Sequence, residues 1–309
     1  MQHDTSITVV IPTFRAATKL GTIIPVLARS QLRPRFIVVD SDSDDGTATV
    51  ARELGAEVIS IARSTFDHGA TREMARKRAG ADIVVMMTQD AIPTGPETLD
   101  KLVAPLLSGE AQVAYARQLP RAGADIFEAF PRCYNYPAES HVRSIDDVGK
   151  YGVYTFFCSD SCAAYLNAAL DETGGFRPAL TNEDYFAVAR LLMKGYRIAY
   201  VAEATVVHSH RYTLAEEFRR YFDTGYVRAE NPWVNRLVGN AERRGKDFFF
   251  RFMKAVAKEC PHLLPYAVLH TVVKLAGYRA GFHCLHAPLW LKKYLSSQKY
   301  YWESVSDVV

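Results

Sequence analysis

Short runs of aliphatic and β-branched residues alternate with amphipathic stretches along the first two hundred positions. Ile7-Thr8-Val9-Val10-Ile11 is apolar on both sides of the chain and predicts a strand buried on two faces, ended by Pro12-Thr13. Phe36-Ile37-Val38-Val39, closing at Asp40, predicts a second, Val58-Ile59-Ser60-Ile61 a third and Ile83-Val84-Val85-Met86-Met87 a fourth. Between them the pattern predicts helices from about Lys19 to Ser30, from a cap at Thr47, and from about Thr71 to Arg78. Strands that alternate with helices imply parallel βαβ units, hence an α/β fold with a mostly parallel sheet flanked by helices.

The periodicity weakens from Pro120 to Tyr151, where Pro131, Pro137 and several aromatic residues predict an irregular insertion of the kind that forms a lid over a second substrate. Order returns with Phe156 to Leu166, a Gly174-Gly175 turn, a helix from Glu183 to Lys194 and a strand from Ile198 to Val201. After His210 the texture becomes helical, aromatic and basic. The expected organisation is a domain over 1–210 and a helical C-terminal region over 211–309.

Charge sharpens that division. The 309 residues carry a formal net charge of only +3, too little to argue for nucleic acid as a partner. Residues 211–309 hold 16 Lys and Arg against 9 Asp and Glu, which leaves a mildly acidic body with a basic tail. Such a tail suits an anionic surface, while its aromatic residues would equally pack on the body or form a homo-oligomer interface. The five cysteines are odd in number and scattered, which disfavours a zinc ribbon or a disulfide framework. No charge-free apolar run approaches the roughly 20 residues of a membrane span. The opening Met-Gln-His-Asp does not read as a secretory signal, so a cytoplasmic location is expected.

In an open parallel sheet, ligands bind beyond the carboxyl ends of the strands. Pro12-Thr13, Asp40 and Thr88-Gln89-Asp90 all fall at such ends. A carboxylate at Asp40 can accept the imide N–H of a pyrimidine base, and one at Asp90 can hold a hard divalent cation that neutralises phosphate. Neither the glycine-rich dinucleotide fingerprint nor the P-loop is present, so phosphate charge would fall to a metal and to Arg72 or Arg15. Glu183-Asp184, at a predicted helix start, offers a general base, or two acids that merely complement the helix dipole. His208 and His210, two apart on a predicted extended segment, should point to opposite sides, so that only one faces the crevice. His68 is placed either to touch a nucleotide or to serve its own loop.

Three segments carry a family resemblance: Ile-Pro-Thr-Phe-Arg at 11–15, Val-Val-Asp-Ser-Asp-Ser-Asp-Asp-Gly-Thr at 38–47 and Glu-Asp-Tyr-Phe-Ala-Val-Ala-Arg at 183–190. They resemble the inverting family 2 glycosyltransferases, which have the Rossmann-like GT-A fold. Phe66 to Glu73 and Met87-Thr88-Gln89-Asp90-Ala91 resemble the rhamnosyltransferase branch more narrowly, whose members use dTDP-β-L-rhamnose to build bacterial surface polysaccharides. The likeness spans about residues 5–230. It implies that Pro12, Thr13, Asp40 and Arg72 surround base and ribose, with Arg15, His68 and Gln89 on the nucleotide side. Asp90 would be the last acid of a metal motif whose first acid is here Thr88, holding Mg or Mn, with His208 as a second ligand. Asp184 would be the base, Glu183 would orient the acceptor or its loop, and Ser159 and Asp160 would lie on the acceptor side. The implied partners are a nucleotide-sugar donor and a glycan or lipid-linked glycan acceptor, met at the inner face of the cell membrane. A UDP-sugar donor and a non-catalytic nucleotide-sugar-binding subunit stay open as alternatives.

Overall fold

A computed structural model of the chain describes residues 5–238 and 242–306. Nine strands form one sheet: β1 (Ile7–Thr13), β2 (Arg35–Asp40), β3 (Glu57–Ser60), β4 (Ile83–Met87), β5 (Ile92–Pro93), β6 (Val113–Leu119), β7 (His141–Arg143), β8 (Cys162–Leu166) and β9 (Ile198–Val207). Their order is β3-β2-β1-β4-β8-β6-β9-β5, with β7 paired to β9. The neighbours from β3 to β4, and the pair β6–β9, run parallel. Strand β8 runs antiparallel between β4 and β6, so the sheet is mixed.

The doubly apolar strands are doubly buried because consecutive side chains feed two cores. Val10, Val84 and Met86 join one hydrophobic cluster, while Val9, Ile11, Ile83, Val85 and Met87 join the other. The helices Ala17–Leu27 and Glu97–Leu107 cover the second face with Leu20, Ile23, Leu99 and Leu102. Helices His68–Ala79 and Glu183–Met193 cover the first with Ala75, Val188 and Leu191. The carboxyl ends of β1, β2 and β4 therefore open at one edge between two packed layers.

The stretch 120–151 is more regular than its sequence suggests. It holds a helix, Ile126–Asn135, capped by Asp125, whose carboxylate accepts the Phe127 and Glu128 amides, and then β7. Pro131 deprives that helix of one N–H, and tertiary packing makes up the loss: Phe127 and Phe130 lie against Phe252 and Phe248 of helix Glu242–Glu259.

The C-terminal helices share the core of the body. Tyr226, Val227, Val234, Val238 and Trp302 belong to the same cluster as Phe186 and Leu192. Helices Leu214–Glu230 and Leu264–His283 approach so closely that a Cβ at Gly281 would strike the Phe222 carbonyl and one at Gly277 the Phe218 carbonyl. Among the described residues no helix is long and apolar enough to cross a membrane.

This packing sets a stability prediction. Gly281→Val should cost about 2 kcal/mol or more, because backbone must move to admit the side chain. Gly21→Ala, where nothing lies within 4 Å, should leave the melting temperature unchanged or raised. Thermal and urea denaturation of the two variants will measure the contrast.

Candidate active site

A cleft of about 570 Å³ opens at the carboxyl ends of β1, β2 and β4, within the usual size range of small-molecule sites. Pro12, Thr13, Phe14 and Ser41 form one end, and Thr88, Gln89 and Asp90 the floor after β4. Ser159, Asp160, Glu183 and Asp184 form the opposite wall, and His208 and His210 close it from beyond β9.

Three side chains converge at the floor. Asp90 lies 3.3 Å from His208 Nε2 and 3.2 Å from His210 Nε2, and the two imidazole nitrogens are 3.1 Å apart. The expectation that His208 and His210 point to opposite sides does not hold: the two rings lie side by side at Asp90. Strand β9 ends at Val207, and the chain after it turns under the insertion: Arg132 Nε donates to the His208 carbonyl at 2.7 Å, and Ser209 Oγ donates to Glu128. Side chains two apart on an extended segment share a face, and both rings face Asp90.

The cluster has the chemistry of a divalent-cation site. On the far side of its ring, His208 Nδ1 lies 3.0 Å from the Gln118 carbonyl oxygen, while Gln118 Nε2 donates to Ser159 Oγ. That chain puts the His208 proton on Nδ1 and leaves the Nε2 lone pair facing Asp90. Burial pushes the His208 imidazole below its ordinary pKa, so it is neutral at physiological pH. Burial works to raise Asp90, but the imidazoles of His208 and His210 outweigh it and hold the carboxyl far below its usual range. Asp90 Oδ1 is nonetheless buried without a hydrogen-bond donor. A carboxylate and two imidazoles that offer ligand atoms within 4.8 Å of one another fit Mn or Mg completed by oxygen ligands.

The second cluster is acidic. The Arg72 guanidinium, 3% exposed, lies 2.7 Å from Glu183 and 3.2 Å from Asp160. Asp184 is held by two amides: Oδ1 accepts from its neighbour Tyr185 at 2.6 Å and Oδ2 from Asp160 at 3.2 Å. Burial pushes the Asp184 carboxyl well above its ordinary range, and the charges of Glu183 and Asp160 push it further. Asp160 is pushed up to about 7 by burial, against the pull of Arg72. Three carboxylates share one cation, so the cluster retains a proton that ordinary carboxylates would have lost. Such a group is a stronger base once deprotonated.

Several residues expected to meet a nucleotide have other partners. Arg72 is committed to the acid cluster. Asp40 is buried off the cleft wall, its carboxylate accepting from Thr13 Oγ1 at 3.2 Å and from the Ser43 amide and hydroxyl at 3.1 and 2.6 Å. Arg15 is exposed, in a two-point pair with Asp44. Gln89 faces the cleft but clamps the backbone of Phe14, accepting from its amide at 2.7 Å and donating to its carbonyl at 3.1 Å. His68 lies on the wall, at the first turn of a helix that Asp67 caps, and burial keeps its imidazole neutral. Gln118, Arg132 and Tyr212 went unnoticed in the sequence. Of these only Gln118 carries a signal, as a buried amide inside an apolar strand.

Residues 3–225 match the family described as Glycosyltransferase like family 2. The chain belongs to this family. Like the other members it is a glycosyltransferase, and the O-antigen chain rhamnosyltransferase RfbN of Salmonella typhimurium is 36% identical to it over 307 residues, 97% of this chain and 96% of the relative. The O-antigen chain rhamnosyltransferase WbaN of Salmonella anatum is 36% identical over 308 residues, with the same coverage. The fold is that of GT-A glycosyltransferases. Mannosyltransferase PcManGT from Pyrobaculum calidifontis, solved with GDP-Man and Mn2+, superposes with a TM-score of 0.61 at 16% identity, covering 91% of this chain and 88% of its own. S. aureus TarS 1–349 superposes at 0.54 and 14% identity, covering 91% of both chains.

The floor cluster predicts a metal-binding hierarchy for the glycosyltransferase. Asp90→Ala and His210→Ala should each abolish measurable Mn2+ binding by calorimetry. Gln118→Leu, which removes the acceptor behind His208 together with the bond to Ser159, should weaken it about 10- to 100-fold. Unchanged affinity in His210→Ala would take that residue out of the ligand set.

Proposed function

We propose that the chain is an inverting rhamnosyltransferase that moves L-rhamnose from dTDP-β-L-rhamnose to a sugar hydroxyl of a lipid-linked polysaccharide intermediate. The observation that carries this reading is the pairing, in one cleft, of a cation-ready floor at Asp90, His208 and His210 with the proton-accepting wall at Asp184. End-to-end identity with relatives named as O-antigen rhamnosyltransferases supports the choice of sugar and polymer class.

In the mechanism, Asp184 accepts the proton of the acceptor hydroxyl as its oxygen attacks the anomeric carbon. The bond to the diphosphate oxygen breaks on the opposite side, so dTDP departs and the β-linked donor gives an α-linked product. Asp90, His208 and His210 would hold a divalent cation, which would supply the positive charge that the departing diphosphate needs. The amides of Tyr185 and Asp160 fix the Asp184 carboxylate for in-line transfer. Arg72 braces Glu183 and Asp160 behind it, which keeps that wall in place while Asp184 changes charge.

Acceptor delivery fits the outer surface of the tail. Phe250, Trp290 and Tyr294 are each about two-thirds exposed, on a segment rich in Lys and Arg. Peripheral contact with an anionic membrane would bring the cleft to a lipid-linked acceptor.

The test is release of dTDP from dTDP-rhamnose with acceptor and Mn2+, beside a panel of UDP-sugars. Asp184→Asn should lower the rate by about 10²–10⁴-fold; full transfer in that variant would remove Asp184 as the base. Because the Asp184 pKa is raised, kcat/KM should climb with pH along an acid limb lying above the ordinary carboxylate range. Asp160→Asn deletes a neighbouring negative charge, so it should lower the Asp184 pKa and move that limb to lower pH. A limb that stays in place would uncouple the two acids. A preference for UDP-sugars would keep the chemistry and change the donor.

A further inference from the structure

The far end of the cleft is finished by a segment that lies outside the family match. Gln298, Tyr300 and Tyr301 line the cleft together with Thr13 and Phe14. This segment is pinned on both sides. Before it, the Ser297 amide donates to the buried Asp223 carboxylate at 2.9 Å, and the Ser297 hydroxyl donates to the same oxygen. After it, Trp302, 3% exposed, packs edge-to-face on Tyr226 at 5.0 Å in the main core. Tyr300 is thus presented from the first turn of helix Lys299–Ser306, although its own ring is 42% exposed.

Against that ring lies Arg63, from the turn between β3 and the His68–Ala79 helix. Its guanidinium sits 3.6 Å over the Phe14 ring and 4.3 Å over the Tyr300 ring, a cation between two aromatic faces. The other arginines of the wall are engaged: Arg72 by Asp160 and Glu183, Arg220 by Glu217, and Arg132 by the His208 carbonyl. Among the described residues the Arg63 guanidinium makes no ion pair and no hydrogen bond, in a cleft that also holds Asp90, Asp160, Glu183 and Asp184. A planar cation stacked on two rings at the cleft suits a ligand that is aromatic and anionic at once. A nucleoside diphosphate has both features.

We infer that Arg63 and Tyr300 bind the nucleotide of the donor, so that the C-terminal segment completes the donor site in cis. This rests on the donor reading proposed above and assigns its nucleotide end. Phe14, clamped by Gln89, backs the stack, and Arg63 contributes the positive charge that Arg72 and Arg15 do not have free.

Calorimetric titration of the full chain with dTDP and with UDP, in the presence of Mn2+, tests the inference. Tyr300→Ala and Arg63→Ala should each weaken binding about tenfold or more, and raise the donor KM in parallel. Tyr300→Phe keeps the ring and should restore affinity, which a merely structural defect at this turn would not predict. Thermal melts of all three variants report whether the fold is intact. If the wild-type chain binds either nucleotide and both alanine variants bind it within twofold as well, the inference is overturned while the donor reading stands. If the wild-type chain binds neither nucleotide, the donor reading itself fails and takes the inference with it.

Discussion

The buried guanidinium of Arg72 ties together the parts on which the site depends. It comes from the helix after β3 and meets Asp160, which precedes β8, and Glu183, which opens the helix before β9. Isolated carboxylates at that depth would cost several kcal/mol each, and without the cation they would protonate or the wall would open. Breaking such a buried group by removing its one positive member is therefore more damaging than removing an exposed ion pair such as Arg15–Asp44. Gly69, one turn earlier on the same helix, lets the backbone pass against the Arg177 carbonyl, where a Cβ would collide. Close helix approach and a shared cation together set where Asp184 stands.

Asp184 gains its basicity from that arrangement and from no unusual feature of its own. It sits at the second position of a helix, where the dipole favours an anion and lowers a carboxyl pKa. Burial and two neighbouring acids oppose the dipole and win. The dipole holds the geometry through backbone amides, and the like charges supply the proton affinity. A single acid at a solvated helix start would have the first property without the second, which is why composition alone does not separate a base from a helix cap.

How much of this could be read in the sequence follows from the range of the interactions. Strands β1, β2 and β4 announce themselves because they are apolar on both faces, and their ends at Pro12-Thr13, Asp40 and Thr88-Asp90 follow directly. The convergence of these ends is a property of parallel sheets and needs no further information. What lay beyond reach depends on contacts between distant segments. The segment that carries His208 and His210 is held at the His208 carbonyl by Arg132, 76 residues before it. The helix Ile126–Asn135 survives Pro131 because Phe248 and Phe252 pack on it from over a hundred residues away. Tyr300 reaches the cleft through anchors on Asp223 and Tyr226, and nothing local to it marks a site. Asp40 and Arg15 are marked by local pattern as ligand residues, and their side chains here meet the local partners Ser43 and Asp44.

The substitution of Thr88 for an acid gains a physical sense beside the two histidines. Two carboxylates would cancel the full charge of a divalent cation before any substrate arrived. Asp90 with two imidazole ligands would cancel half of it, so a bound cation would keep net positive charge for a diphosphate. That surplus matters in this cleft, because Asp160, Glu183 and Asp184 face the floor with a single guanidinium among them. A diphosphate entering such a space meets carboxylates on one wall and needs cations on the other. Imidazole ligands at the floor and an unpaired guanidinium at Arg63 are two solutions to the same electrostatic problem. Each becomes necessary because the acid cluster that makes Asp184 basic also repels the donor on which the reaction depends.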